Sequence, residues 1–141
     1  MRIIDVGTGS GILALAGAKL GAASVYCIDT SSVAVESATA NAAVNRLSDK
    51  ITVVLGILDE AEAARMAGQY DMALVNIIAH VIGGMAPQLA QVLAPGGLLI
   101  ASGIIEARRP DAEPALLAAG LELIDQAMID DWIVLIMRKP E

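Results

Sequence analysis

The chain has 141 residues, of which 56% are apolar and only 2% aromatic, with no Phe, and its formal net charge is -7. This length fits one domain whose core is built from Ala, Leu, Ile, Val and Met. The acidity and the lack of a basic patch argue against a general nucleic-acid binder, and the single cysteine, Cys27, excludes a disulfide framework and a cysteine-rich zinc site.

Apolar runs alternate with helix-compatible segments along the chain. The runs have the composition of strands buried on both faces, and they lie at 2–6, 24–28, 51–55, 71–76 and 98–102. Helix-compatible segments lie between them at 11–20, 32–45, 60–66 and 79–93. Ser31 or Ser32 can cap the second helix. The alternation predicts an α/β fold, a doubly wound parallel sheet with helices on both faces.

The end of the chain departs from this alternation. Pro95-Gly96-Gly97 predicts a turn before the fifth strand, and a further helix is expected at 113–119. Two strand-like runs, 121–129 and 132–137, flank Asp130-Asp131 and predict an antiparallel hairpin, in which we expect Trp132 to be packed. The predicted sheet therefore has seven strands and ends in a hairpin.

The first strand runs directly into the glycine-rich turn Asp5-Val6-Gly7-Thr8-Gly9-Ser10-Gly11. Glycines allow positive φ and a close approach of the backbone to a ligand, and the helix that follows presents free N–H groups. A strand, a glycine turn and a helix in this order form a nucleotide cradle. The spacing G-x-G-x-G differs from the dinucleotide fingerprint because position 12 is Ile. The alternative is an ordinary tight turn.

Three polar residues follow the later strands. Asp29 ends the second strand, where its carboxylate can accept the ribose hydroxyls of adenosine, with helix capping as the alternative. Asp59 follows the third strand, and we favour a helix cap for it. Asn76 ends the fourth strand, where it can orient an incoming nucleophile or cap the next helix. His80, the only histidine, is interpreted as structural and Cys27 as a buried hydrophobe in a reducing compartment, the cytoplasm.

The glycine spacing, with Asp5 two positions before Gly7, resembles the first motif of class I S-adenosylmethionine-dependent methyltransferases. Three further stretches are similar to the methyltransferases that modify protein eleven of the large ribosomal subunit. They are Asp71-Met72-Ala73-Leu74-Val75-Asn76-Ile77-Ile78-Ala79, Leu93-Ala94-Pro95-Gly96-Gly97 and Ser102-Gly103-Ile104. The resemblance covers nearly the whole chain.

This resemblance implies a Rossmann-like fold, S-adenosylmethionine as the cofactor, and methyl transfer to lysine amines or an N-terminal amine of a ribosomal protein. It implies that Asn76 is the catalytic residue beside the acceptor amine and that Ser102-Gly103 borders the active-site mouth. The cofactor-binding residues that it implies are Asp5, Gly7, Thr8, Gly9, Gly11, Asp29, Thr30, Gly56, Ile57 and Asn76. Because the family also carries an N-terminal substrate-recognition domain, we expect residues 1–141 to form the S-adenosylmethionine-binding domain without it.

Three alternatives stay open at this point. The acceptor could be a small molecule, or the chain could bind S-adenosylmethionine without catalysis. An NAD-dependent oxidoreductase is the third, although Ile12 and the terminal hairpin disfavour it. We expect a protein partner and neither direct nucleic-acid binding, membrane association nor a metal site. Apolar surface left without its partner domain could drive self-association into a homo-oligomer.

Overall fold

The structure is a computed structural model that describes all residues from Met1 to Glu141. Its strands are β1 (Arg2–Val6), β2 (Ser24–Asp29), β3 (Ile51–Leu55), β4 (Tyr70–Asn76), β5 (Leu93–Ile105), β6 (Glu122–Ile129) and β7 (Trp132–Arg138). Its helices are α1 (Ile12–Lys19), α2 (Ser32–Val44), α3 (Glu60–Arg65), α4 (Ala79–Gly84), α5 (Ala86–Val92) and α6 (Glu113–Ala118), with a 3-10 helix at Glu106–Asp111. No helix is long and apolar enough to cross a bilayer.

All seven strands form one sheet in the order β3-β2-β1-β4-β5-β7-β6. Strands β1 to β5 are parallel, and β7 is antiparallel to both β5 and β6. The predicted seven-stranded sheet with a terminal antiparallel hairpin is therefore confirmed. The carboxyl ends of β1, β2, β3 and β4 meet at one edge, where ligands bind in open sheets of this kind.

The two faces of the sheet bury different residues because side chains alternate along each strand. Ile3 and Cys27 pack on the side of α1 and α2, whereas Ile4 and Ile28 pack on the side of α3 to α6. Helices therefore cover both faces, as predicted, and Cys27 is fully buried. The buried residues of α1 and α2 are all alanines, so these helices approach the sheet closely without aromatic side chains.

Side-chain caps start two of the helices. The Ser31 hydroxyl accepts a hydrogen bond from Ala34 N–H at 3.3 Å, and the Asp59 carboxylate accepts one from Glu62 N–H at 2.9 Å. Both predicted caps are confirmed. The capping alternative for Asn76 is wrong, because Ile78 is the N-cap of α4 and no side chain caps that helix.

The predicted helix over residues 79–93 is wrong in one respect, since it is broken at Met85, where φ is -111° and ψ is 13°. Pro87 lies in the first turn of α5 and has no N–H to donate to the carbonyl four residues earlier. Gly83 and Gly84 before the break favour helical conformation weakly. A proline is tolerated in the first turn of a helix, so the chain starts the new helix α5 at this point instead of continuing α4.

The predicted turn at Pro95-Gly96-Gly97 is instead an irregularity inside β5. The pairing between β4 and β5 shifts register between the Tyr70–Leu93 and Met72–Leu98 pairs. Gly96 has a φ of +79°, and its N–H donates to the Lys139 carbonyl at 2.8 Å. The glycines allow the strand to bulge without ending, because the chain terminus supplies the hydrogen bonds that a turn would have left to solvent.

Candidate functional site

The glycine turn after β1 is held in a left-handed conformation at three positions. The φ angles are +74° at Gly7, +57° at Gly9 and +85° at Gly11. A Cβ atom at Gly7 would lie 2.9 Å from Ile77 Cγ2, and one at Gly11 would lie 3.2 Å from Ala38 Cβ. Gly9 has no heavy atom within 4 Å of that position. Gly7 and Gly11 therefore permit close packing of protein groups, whereas Gly9 leaves its surface open to a ligand.

Asp29 ties this turn to the end of β2. Its Oδ2 atom accepts a hydrogen bond from Gly9 N–H at 3.0 Å, and its Oδ1 atom accepts one from Ser31 N–H at 2.9 Å. The side chain that caps α2 is Ser31 and not Asp29. Each carboxylate oxygen can accept more than one hydrogen bond, so Asp29 keeps capacity for hydroxyl donors.

A cavity of about 250 Å³ opens beside Asp29 at the carboxyl edge of the sheet. Five of the residues predicted from the sequence line it, namely Gly7, Asp29, Thr30, Gly56 and Ile57. Its other lining residues are apolar, and sequence reasoning missed them: Val6, Ile28, Leu58, Ile77, Val81 and Met85. An apolar slot with one carboxylate matches the needs of a nucleoside, whose flat base is apolar on its faces and whose ribose carries hydroxyl donors.

Asp5 and Thr8 lie beneath the turn and not on the cavity wall. They are only 1% and 6% exposed, and the Thr8 hydroxyl donates to Asp5 Oδ2 at 2.8 Å. Burial raises the pKa of Asp5 to about 6, against the effect of the Thr8 hydrogen bond and with a smaller contribution from the Asp29 charge. These two residues therefore support the turn from below.

Asn76 lies at the exposed end of β4, opposite Ser102 of β5. It lines a second cavity, of about 340 Å³, together with Ser102 and Gly103. Gly103 has a φ of +77°, and a Cβ atom there would collide with Asn76 Oδ1 and lie 3.0 Å from the backbone of Ile77. Because Ile77 lines the first cavity, the consecutive residues Asn76 and Ile77 separate two neighbouring cavities.

The terminal hairpin forms the far wall of this second cavity. Met128, Ile129 and Trp132 line it, and Trp132 is 54% exposed. The prediction that Trp132 packs inside the hairpin is therefore wrong. We call this cavity the hairpin groove and define it by Asn76, Ser102, Gly103, Met128, Ile129 and Trp132.

A third cavity, of about 400 Å³, shares Gly103 and Trp132 with the hairpin groove. His80, which we interpreted from the sequence as structural, lines this cavity and is exposed. Arg108 and Asp111 line the same cavity and form an ion pair at 3.6 Å.

Comparison with known proteins identifies the family. A family model described as Ribosomal protein L11 methyltransferase (PrmA) matches residues 1–140. A ribosomal protein L11 methyltransferase of Brevibacillus brevis is 41% identical over 139 residues, which cover 98% of this chain and 43% of that protein. The corresponding protein of Pelotomaculum thermopropionicum is 44% identical over 136 residues, covering 96% of this chain and 43% of that protein.

The fold comparison agrees. The crystal structure of a ribosomal protein L11 methylase from Lactobacillus delbrueckii subsp. bulgaricus has a TM-score of 0.89 and 34% identity. The match covers 99% of this chain and 70% of that chain. The chain spans less than half the length of the two curated relatives it matches.

Proposed function

This chain belongs to the ribosomal protein L11 methyltransferase family, and we propose that it transfers a methyl group from S-adenosylmethionine to an amine of a protein, a lysine of a ribosomal protein. The observation that carries this proposal is the adjacency of two cavities across Asn76 and Ile77. One cavity has the character of a nucleoside site, and the other is an apolar groove with an amide at its mouth. A methyl donor and an amine acceptor need this arrangement.

The residues of the first cavity fit S-adenosylmethionine, which supplies an electrophilic methyl group on a sulfonium. In our proposal Asp29 accepts the ribose hydroxyls while its existing bond to Gly9 N–H fixes the turn. Ile57 and Leu58 would flank the adenine, and the open backbone at Gly9 would border the methionine part. Asp5 and Thr8 act indirectly, by holding the turn in place.

The hairpin groove would receive the acceptor lysine. Asn76 would orient the amine so that its lone pair lies in line with the methyl group, at about 3 to 3.5 Å. A free lysine has a pKa of about 10.4 and must lose its proton before attack. The apolar walls at Met128 and Ile129 would favour the neutral amine, whereas the nearby carboxylates of Asp130 and Asp131 would favour the ammonium. Once that proton has passed to solvent, the nitrogen–carbon bond would form as the carbon–sulfur bond breaks, which gives a methylated ammonium and the neutral thioether S-adenosylhomocysteine.

We further propose that residues 1–141 form the S-adenosylmethionine-binding domain and that the acceptor is a protein and not a small molecule. The family membership supports both points. A ribosomal substrate also supports the cytoplasm as the place of action, and the buried free thiol of Cys27 is compatible with it.

Two measurements test the proposed function. Calorimetric titration with S-adenosylmethionine, S-adenosylhomocysteine and NAD should show binding of the first two and not of NAD. Transfer of a radiolabelled methyl group should then appear on lysines of purified ribosomal protein L11. Binding of NAD alone, or of none of the three, would contradict the cofactor assignment. Cofactor binding without transfer to L11 would favour the non-catalytic alternative.

A further inference from the structure

The outer edge of the sheet on the hairpin side is open along β6. All eight residues of β6 are exposed, and β7 is its only neighbouring strand. The apolar side chains of Leu123, Ile124, Met128 and Ile129 keep between 37% and 77% of their surface in solvent. Folded proteins usually protect such an edge with lysine, proline or a covering element. β6 contains no lysine, arginine or proline. Its pairing with β7 shifts register between Leu123 and Asp125 and is regular from Asp125 to Ile129, so this regular part of its edge can pair with another strand.

The charge of this edge is negative. Carboxylates lie at Glu122 and Asp125 on the strand and at Asp130 and Asp131 in the turn that follows it. Glu122 alone among these four has an ion-pair partner, Arg138 at 3.6 Å.

One further cation lies beside β6. Arg109 donates to the side chain of Gln126, but it is already paired with Glu113 at 2.8 Å. The edge therefore keeps an excess of unpaired carboxylates. A second copy of β6 would bring like charges together, whereas a cationic strand would complement them.

We propose that the outer edge of β6 binds a basic, extended segment of the methyl-accepting protein as an added strand. The identity of this occupant rests on the proposed function. Backbone pairing supplies the affinity, as in other cases of strand addition, and the carboxylates of this edge select a cationic segment. Met128 and Ile129 belong both to this edge and to the hairpin groove, so a chain bound at the edge leads into the acceptor site.

The geometry sets the separation between the docking segment and the acceptor lysine. Neighbouring strands lie about 4.8 Å apart, and β6 is three strands away from β4, which carries Asn76. An added strand would thus lie about 19 Å from β4. An extended chain covers about 3.3 Å per residue. The docking segment must therefore be about six residues from the acceptor lysine.

A binding experiment tests the edge without requiring catalysis. The probe is a fluorescein-labelled peptide of alternating Arg and Val without lysine, and the same peptide with Glu in place of Arg is its control. We expect the Arg peptide to bind and the Glu peptide not to bind, by fluorescence anisotropy. Ile124→Lys should weaken this binding at least tenfold, because it adds a charge to the edge. Thr52→Lys adds the same charge to β3, the opposite edge strand, and should change binding less than twofold.

Other results would overturn the proposal. They are no binding of the Arg peptide to the unmodified chain, equal weakening by Thr52→Lys, or a dimer in sedimentation that Ile124→Lys dissociates. The last would identify a second copy as the occupant. If circular dichroism shows that Ile124→Lys does not fold, Asp125→Lys serves as the second variant.

A transfer experiment tests the distance. A single lysine is joined to the Arg and Val segment by a Gly-Ser linker of two or six residues. We expect the six-residue linker to lower KM at least fivefold relative to a short lysine peptide, and the two-residue linker to give no gain. Equal KM values for both linkers would contradict the geometry. Binding of the probe with no methyl transfer to any peptide would contradict the proposed function and leave the docking edge standing.

Discussion

Asp5 is a carboxyl group buried beneath the glycine turn, with Thr8 and the Asp29 carboxylate as its polar neighbours. Its pKa is about 6 in the folded chain, raised by burial from 3.8. The folded chain therefore binds a proton between these two values that the unfolded chain has released. The stability that this group contributes is full below pH 3.8 and is lost as the pH rises through 6.

We predict that Asp5→Asn is more stable than the unmodified chain at pH 7 and equal to it at pH 4. The gain has an upper bound of about 3 kcal/mol, because each pKa unit corresponds to about 1.36 kcal/mol. Urea denaturation at pH 4, 5, 6 and 7 measures it. Thr8→Val, which removes the hydrogen bond that favours the ionised form, should raise the pKa of Asp5 further and extend the loss of stability to higher pH. A gain that is the same at pH 4 and pH 7 would refute the assignment.

Asp29→Ala should chiefly weaken cofactor binding. It removes the proposed acceptor of the ribose hydroxyls and the bond to Gly9 N–H. Hydrogen bonds to a charged group contribute about 1.5 to 3 kcal/mol, so the calorimetric Kd for S-adenosylmethionine should rise about tenfold to a hundredfold. Asp59→Ala is a matched control, since Asp59 caps α3 and does not line the cavity. Unchanged affinity in Asp29→Ala would remove the ribose assignment.

Asn76→Ala should reduce turnover more than cofactor affinity. Asn76 lines the hairpin groove but not the cavity beside Asp29. Loss of an orienting group should lower kcat about tenfold to a hundredfold while the Kd for S-adenosylmethionine changes less than threefold. Steady-state kinetics and calorimetry on the same preparation separate the two effects. Equal losses in both quantities would argue against a positioning role.

At this scale the polar residues of the site and Ile57 could be predicted, and the rest of its apolar walls could not. Asp29 and Gly7 follow strands in a recognisable pattern, and the structure places both on one cavity. Leu58 and Met85 come from separate loops and have the same side chains as any core residue. The burial of Trp132 was predicted wrongly because the sequence around a lone aromatic residue beside a turn does not show whether other residues pack against its ring.

The elements show where local signals compete. The five parallel strands were predicted to within one residue at most ends, because short continuous apolar runs are typical of strands that are buried on both faces of a sheet. β5 is the exception, since it extends through Pro95-Gly96-Gly97 to Leu93. A proline and two glycines end a strand when the backbone there has no hydrogen-bond partner. In β5 a partner is available, so the strand bulges at these residues and continues. The hydrogen bonds from the residues around Lys139 supply that pairing, and they come from the far end of the chain.

Gly97 makes this bulge possible by its lack of a side chain. A Cβ atom there would lie 2.8 Å from the Ala94 carbonyl oxygen and 3.2 Å from that of Asp71. We predict that Gly97→Ala destabilises the fold by about 2 kcal/mol or more, because backbone atoms cannot move aside. Gly84→Ala is the control, since no atom lies within 4 Å of its Cβ position. It should be neutral or stabilising by up to about 1 kcal/mol. Similar melting temperatures for the two variants would contradict the steric explanation.

At the scale of the molecule, the helices cover the two faces of the sheet unequally. α1 and α2 pack against β1, β2 and β3, while α4, α5 and α6 pack on the other face. β5 and β6 contact α4, α5 and α6 on this second face, and the residues of β7 that point to the α1 side, Val134 and Ile136, are partly exposed. The doubly wound architecture could be predicted from the alternating elements, but this asymmetry could not. Val134 and Ile136 are apolar residues of the same kind as those in a strand covered on both faces, so the sequence does not show that one face is uncovered.

Ile136 and Leu135 of β7 point to the two different faces, and they provide the test of this asymmetry. Ile136 lies opposite Ile100 on the uncovered side and is partly exposed, whereas Leu135 is fully buried beneath the helices. Ile136→Thr should cost less than about 1 kcal/mol, and Leu135→Thr about 2 to 4 kcal/mol because it leaves a cavity and buries a hydroxyl. The folded chain should also bind the dye anilinonaphthalene sulfonate on its apolar half-sheet. Ile136→Thr should reduce that fluorescence without loss of fold. Equal costs for the two substitutions, measured by urea denaturation, would mean that both faces of β7 are covered in solution.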